Sequence, residues 1–371
     1  MGAVLLPGSS AAFGREGEDR SPITKGDIAI LTFLSALEQV EADLWIQYAE
    51  LGGATNQGLS GIDLELNGKK IVTGLAPNYI TALEVLDGDM PQYIADNTDD
   101  EISHHCFLNN YLMSKGAKPI DLREFATLPP STVTGVPQTG RLTNLKQLTV
   151  DTTWWVRYRS ATANPDFGGK FENAVPDLAK GKHPAIPVDD GDLVLNSDGS
   201  IPNHLQAIAN TAGFHFAFIE QGGSSLYPAL AQKVTNLEVL RVLLSIGGSE
   251  IMHFQTWQDK AGNATNITDG DLSFPPLNTG TDPNPNGTSA NPADDFQSNL
   301  IMPEPTFFLH EELGPVSIIR PTSTAQGGAV ASVVSFVEDG LFLDPATGNN
   351  TGIVDKLMRL AEEADEARRG F

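Results

Sequence analysis

The stretch SEIMHFQTW, residues 249–257, sets Glu250 and His253 one helical turn apart among mostly apolar neighbours. On the stripe Leu243, Ile246, Glu250, His253, Trp257 the spacing runs 3-4-3-4, the inward face of a helix in a bundle. Burying two ionisable groups costs roughly several kcal/mol per ion unless a partner neutralises them. A second stretch repeats the pattern, with Glu101 and His104 on the stripe Glu101, His104, Leu108, Leu112. A carboxylate and an imidazole three residues apart project from one helix face, so both reach a single cation.

Chance alone produces one Glu-x-x-His pair easily in a chain with 7 histidines and 47 acidic residues, so the other helical segments decide the reading. In residues 24–51, Glu41 occupies the stripe Leu34, Leu37, Glu41, Leu44, Tyr48; in residues 202–234, Glu220 occupies Gly213, Phe216, Glu220, Ser224, Tyr227. Each of these glutamates is followed two turns later by a tyrosine. The chain therefore reads as an internal repeat, a Glu-x6-Tyr helix and then a Glu-x-x-His helix, twice. Glu38 and His105 replace their neighbours if the helical phase is one residue off; the Glu-x-x-His spacing and the Glu41-to-Tyr48 interval select His104 and Glu41.

One glutamate from each of two helices plus a Glu-x-x-His from each of two others resembles the ligand set of the ferritin-like di-iron and di-manganese carboxylate proteins. The run EADLWIQY, residues 41–48, is similar to the first-helix motif of bacterioferritins, and LEQVEADLW, residues 37–45, to the ferritin-like family that contains desiccation-related proteins. The resemblance covers about residues 26–116 and 201–262. It implies an all-α fold, a ferritin-like four-helix bundle holding two iron or two manganese ions. Glu101 and Glu250 would be bridging or terminal ligands, His104 and His253 would bind one metal each, and Glu41 and Glu220 would be terminal. Tyr48 and Tyr227 would serve as hydrogen-bond or electron donors. Carboxylates and imidazoles without sulfur suit iron or manganese, and metals roughly 3.5–4 Å apart engage one oxygen or peroxide molecule together. The implied function is redox chemistry on oxygen or peroxide in stress protection. The competing readings are a manganese-catalase-like peroxide dismutase and a structural, desiccation-protective bundle without turnover. A cage-forming storage ferritin fits poorly with the insertions, while a homo-oligomer stays open.

Outside the four segments, the net charge of −24 excludes nucleic acid and anionic membranes as partners, and no run of apolar residues is long enough for a membrane span. Helices are predicted at about 26–51, 78–115 (with Pro91 kinking or starting its second half), 202–234 and 236–260, within a bundle unit 26–262. A small hairpin at Asp63–Val72 turns at Asn67-Gly68. Residues 118–200 read as a long, partly structured crossover whose aromatic-cationic run Trp154–Arg159 packs on the bundle rather than binding sugar or nucleic acid. Residues 263–371 read as a loop-rich C-terminal extension, with an Asn/Pro/Gly-rich loop over 261–300, an apolar stretch at Ala329–Leu343 and a charged helix near Ile353–Arg369. The sequons at Asn263, Asn266 and Asn286 follow from that composition. The N-terminal segment 1–25 opens on MGAVLLPGSSAAFG, an apolar patch and small residues like the end of a secretory signal but without a basic start. It suggests a periplasmic or extracellular location, with the cytoplasm as the alternative. His215 reads as a core histidine or a support to the site, and Cys106, the single cysteine, as a buried inert thiol.

Overall fold

The computed structural model describes residues 22–54, 64–277, 302–321 and 328–369. The N-terminal signal-like segment, most of the loop over 261–300, the sequon at Asn286 and the start of the hairpin at Asp63 lie outside the described residues.

The chain is mostly α-helical. Helix α1, Lys25–Gly52, begins where Thr24 and Asp27 cap each other: Thr24 Oγ1 accepts from Asp27 N, and the Asp27 carboxylate accepts from Thr24 N at 2.8 Å. It runs uninterrupted to Gly52-Gly53. The segment expected as one helix over 78–115 is two, α2 (Pro77–Leu83) and α3 (Met90–Ser114). Two local features break it. Asp87 Oδ1 accepts from Asp89 N at 2.8 Å across Gly88, and Pro91 in the first turn of α3 cannot donate back into a preceding turn. A short α4, Thr153–Arg159, follows in the crossover. Then come α5, Asn203–Ala231, and α6, Leu237–Ala261, the latter capped by Asn236 Oδ1 accepting from Glu238 N and Val239 N.

Cross-helix contacts give the arrangement. Thr98 Oγ1 on α3 donates to Trp45 O on α1, and Glu38 faces His104, so α1 and α3 run antiparallel. Trp45 with Glu220 and Tyr227 with Glu38 make α1 and α5 antiparallel. Trp257 with Asn97 and Glu250 with His104 do the same for α6 and α3. Between α5 and α6 the backbones approach closely at two glycines: a Cβ at Gly223 would stand 2.4 Å from Glu250 Oε2, and one at Gly247 would stand 2.7 Å from Tyr227 Cβ. A side chain at Gly247 would push α6 away from Tyr227, and one at Gly223 would displace the Glu250 carboxylate.

The crossover wraps this four-helix body and joins its core. Asp43 Oδ2 accepts from Leu142 N, Thr143 N and Thr143 Oγ1, and Arg141 Nη2 donates to both oxygens of Glu50 at 2.8 and 2.6 Å in a buried pair. Trp154 and Trp155 are buried against Phe214, and Trp154 also meets Phe254 edge-on at 5.9 Å. Arg159 lies 3.4 Å above the Trp155 ring, and its burial pulls the guanidinium down to about 9. The aromatic run thus packs on the bundle. The hairpin is β1 (Glu65–Leu66) with β2 (Lys69–Lys70), its turn residues Asn67 and Gly68 at φ 53° and 74°. Two further strand pairs, β3 (Thr268–Asp269) with β4 (Leu272–Ser273) and β5 (Thr306–Phe307) with β6 (Pro315–Val316), sit in the C-terminal part.

Helix α7, Ala329–Asp339, and helix α8, Ile353–Glu366, complete the chain. The amphipathic α8 lays Ile353, Leu357, Leu360, Ala361 and Ala364 against α1 and α7, so the C-terminal part shares one apolar core with the bundle. No helix among the described residues is long and apolar enough to cross a membrane.

Candidate metal centre

Midway along α1, α3, α5 and α6 the inward faces carry charge instead of hydrocarbon. Two groups of donor atoms form there. Glu38, Glu101, His104 and Glu250 make one, and Glu101, Glu220, Glu250 and His253 make the other, each with its donor atoms within 4.8 Å of one another and all of them buried. Glu101 and Glu250 belong to both. His104 Nδ1 faces Glu101 Oε2 at 3.2 Å, Glu250 Oε1 at 3.3 Å and Glu38 Oε2 at 3.4 Å. His253 Nδ1 faces Glu101 Oε1 and Glu220 Oε2, both at 3.2 Å. One imidazole N–H can point well at only one of these carboxylates at a time. Glu250 is close enough to His104 for an ion pair, yet neither of its oxygens has the angles of a hydrogen bond, and the same holds for Glu38 Oε2. Donors bound to one cation at about 2.0–2.2 Å lie roughly 3–3.5 Å apart along the edges of their polyhedron, and these spacings fall in that range.

The outer oxygens and nitrogens are tied down. Tyr227 OH donates to Glu38 Oε1, and Trp45 Nε1 donates to Glu220 Oε1 at 3.0 Å. The two braces are reciprocal: each helix supplies a glutamate and, seven residues later, an aromatic donor that holds the glutamate of the other helix. Asn97 Nδ2 donates to Glu101 Oε1 at 2.9 Å and Glu220 Oε1 at 3.0 Å, and is itself oriented by Trp257 Nε1 at 2.6 Å. His253 Nε2 meets Asp100 Oδ2 at 2.9 Å; a proton on that nitrogen leaves the Nδ1 lone pair facing the carboxylates. Beside the cluster the Trp45 ring stacks on Phe216 and Trp257 at centroid separations of 4.8 and 5.3 Å, and Phe216 meets Trp257 tilted at 4.7 Å.

Without a cation the cluster can balance its charge only with protons. Burial opposes the charged forms of both imidazoles, but Glu38, Glu101 and Glu250 around His104 overcome it, as do Glu220, Asp100 and Glu101 around His253, and both are raised far above the ordinary histidine range. Burial, together with the charge of Glu220, pushes Glu101 up to about 7. Burial and the neighbouring carboxylates hold Glu250 well above the usual carboxylate range. Glu38 goes down, because His104 outweighs the effect of its burial. Divalent cations would relieve this crowding directly.

Of the residues selected from sequence, Glu101, His104, Glu220, Glu250 and His253 come together in these groups, and Glu41 does not. Glu38 stands in its place. Glu41 lies one turn further along the same face, buried, with no hydrogen bond to a described residue, lining a cavity of about 790 Å³; burial and the charges of Glu38, Glu250, Glu101 and Glu220 push its carboxyl well up. The inward stripe of α1 is Leu34, Glu38, Glu41, Trp45, Tyr48, with Glu38 and Trp45 as the counterparts of Glu220 and Tyr227. That phase was hidden because α1 is buried on nearly every side, under the crossover and α8 as well as the bundle. The signal that finds it is the aromatic donor two turns after the glutamate, once tryptophan is admitted beside tyrosine.

Tyr227 touches the cluster, whereas Tyr48 points away from it. Tyr48 OH meets His215 Nδ1 at 2.7 Å, and His215 Nε2 faces Asp339 Oδ2 of α7 at 3.2 Å, a buried chain linking α1, α5 and α7. Tyr48 therefore reaches the centre only through ring contacts, with Trp45 at a centroid distance of 5.7 Å and with Phe216 edge-on at 4.5 Å. His105 lines a separate cavity beside Asp43 and Glu50. Cys106 is exposed, contrary to its reading as a buried thiol, since two residues past the inward His104 a helix presents its outer side. Asp100, Asn97, Trp45 and Trp257, none of them singled out from sequence, are the supports that hold the donors. No family model, curated protein or solved structure matches this chain.

Proposed function

We propose that this chain is a ferritin-like four-helix-bundle protein that holds two iron or manganese ions and acts on oxygen or peroxide, in the stress-protective role that its sequence resemblance implies. The observation that carries the reading is the sharing of Glu101 and Glu250 between two donor groups, each with its own imidazole. Carboxylates common to two sites are what a pair of adjacent cations requires. The donor set fits the metals: oxygen and imidazole nitrogen without sulfur, with otherwise orphaned buried oxygens on Glu250 and Glu38. When bound, such a pair supplies one-electron redox steps and charge stabilisation to a small oxidant.

The protein's own residues do the rest. Glu38, Glu101, His104, Glu220, Glu250 and His253 would bind. Asp100 fixes the His253 ring, while Trp45 and Tyr227 hold the outer carboxylates so that only one oxygen of each turns inward. Trp45, Phe216 and Trp257 keep water from that side of the cluster.

Elemental analysis of the protein purified in air is expected to give two metal equivalents per chain, and Glu250→Ala is expected to take the content below one. Full metal retention in that variant would overturn the centre. Oxygen uptake with iron, or oxygen release from peroxide with manganese, then separates an oxidase from a catalase-like enzyme. Two bound metals with neither activity would make the bundle protective without turnover.

A further inference from the structure

The cavity beside Glu41 lies outside both donor groups. It lies between α5, α7 and the segment around Phe308–Pro321, encloses about 790 Å³ and is walled mainly by hydrocarbon, including Leu37, Phe218, Leu226, Ile319 and Phe336. That volume is in the range of small-molecule sites and far exceeds what oxygen or peroxide needs. Its ionisable lining among the described residues is Glu41, Asp151 and Glu338, with no lysine, arginine or histidine among them. Two of its residues connect it to the centre. Gly223 lines the cavity on one side and on the other lies against Glu250, where a Cβ would stand 2.4 Å from Oε2. Glu41 sits one turn from Glu38, is 4% exposed, and carries a carboxyl without a hydrogen-bond partner among the described residues, open to the cavity. A buried polar group left unpaired is costly, so it calls for a partner from whatever fills the space.

We propose that this cavity is the organic-substrate site of the metal centre, taking an uncharged or cationic molecule with an apolar body and a hydroxyl or amino group that donates to Glu41. The proposal rests on the dinuclear reading and narrows it, from chemistry on oxygen or peroxide alone to chemistry in which an organic molecule is seated next to the metals. Anionic ligands such as carboxylates, phosphate esters and nucleotides are disfavoured, because Asp151 and Glu338 and no cation among the described lining residues would face them. The glycine at position 223 then has a second use. It makes room for the Glu250 carboxylate, and it leaves only backbone between the seated molecule and Glu250.

The test uses the full chain loaded with Mn(II) and the probe N-phenyl-1-naphthylamine, which is uncharged, apolar and carries one N–H. Saturable fluorescence enhancement with about one probe per chain is expected. Its sulfonated analogue, 1-anilinonaphthalene-8-sulfonate, is expected to bind at least about tenfold more weakly. The probe's proton lines should broaden with the Mn(II)-loaded protein and stay sharp with the metal-free one, because the cavity adjoins the centre. Ser335→Trp, which fills the cavity from α7, is expected to weaken binding at least about tenfold with both metals retained. Glu41→Leu, which removes the handle and leaves the cavity open, should weaken it about tenfold, also with both metals retained. Absence of binding to the metal-loaded protein, equal binding of the sulfonated analogue, or binding that neither variant changes would overturn the proposal while leaving the dinuclear centre standing. Probe binding by a chain that takes up no metal would overturn the dinuclear centre itself, and metal analysis of the same samples tells the two failures apart.

Discussion

Glu38 and Glu41 differ by three positions on one helix face, and the structure gives them different neighbours. Glu38 lies 3.4 Å from His104 and is braced by Tyr227, whereas Glu41 has a cavity in front of it. Deleting Glu38 removes a donor that only the first group contains, so Glu38→Ala is expected to leave the second group able to bind and to lower metal content from two equivalents towards one. Glu41→Ala is expected to leave both metals in place. Titration of the metal-free variants with Mn(II), followed calorimetrically, checks the pair. Loss of metal from Glu41→Ala with retention in Glu38→Ala would reverse the assignment and restore the reading taken from the sequence. That reading rests on a tyrosine seven residues after the glutamate. The physical requirement is only a buried N–H or O–H donor at that distance, which Trp45 meets at 3.0 Å from Glu220.

At the scale of elements, the helices that carry the centre were legible because their charges interrupt apolar stripes, and the 3.6-residue period of α3, α5 and α6 places those charges on one face. The boundary between α2 and α3 was less legible: Asp87-Gly88-Asp89 breaks a helix through a side-chain-to-backbone bond that a periodicity argument does not weigh. Irregular segments were legible only as irregular. Nothing in the pattern of residues 118–200 says that Asp43 would receive Leu142 and Thr143, or that Arg141 would find Glu50, because those partners lie about ninety to a hundred residues away in sequence. One such long-range tie has a testable pH signature. His204, in the first turn of α5, bridges Asp192 of the crossover at 3.1 Å and Asp269 of β3 at 2.8 Å. Burial opposes its charge, but the two carboxylates win and raise its pKa. Its contribution is therefore complete below the unfolded-state value, about 6.5, and is lost as the pH rises through the higher folded-state value. The side chain is 46% exposed, so solvent screening keeps the effect below about 1 kcal/mol. His204→Ala is expected to lower urea-measured stability at pH 5.5 and to change it much less at pH 9. An equal loss at both pH values would mean that the ring acts by packing and neutral hydrogen bonds rather than by charge.

For the whole molecule, the question is how the fold tolerates a core that repels itself. Five buried glutamates, Glu38, Glu41, Glu101, Glu220 and Glu250, share one region with two imidazoles, and with every group ionised three negative charges would remain uncompensated. The surrounding apolar core is large and continuous, running through the crossover, α7 and α8, and it holds the carboxylates in place while they take up protons. Such a core is expected to fold before it takes up metal, unlike small metal-nucleated domains. Two consequences follow. The metal-free chain is expected to keep its helical circular dichroism and a cooperative melt. Metal that binds only the folded state should add RT ln(1 + [M]/Kd) to the stability, about 2.7 kcal/mol per site at a free metal concentration one hundred times Kd, and so raise the midpoint. Scanning calorimetry before and after chelation reads both at once. If chelation instead abolished the cooperative transition, the apolar shell would be too weak to carry the charge cluster alone, and the cations would have to be counted as part of the folding nucleus. If chelation left the midpoint unchanged in a sample shown to have carried two metals, the cluster would have to gain as much from its bound protons as from the cations. The crowding of Glu101 and Glu250 between both imidazoles argues against that outcome, because protons neutralise carboxylates one at a time whereas a shared cation draws several together.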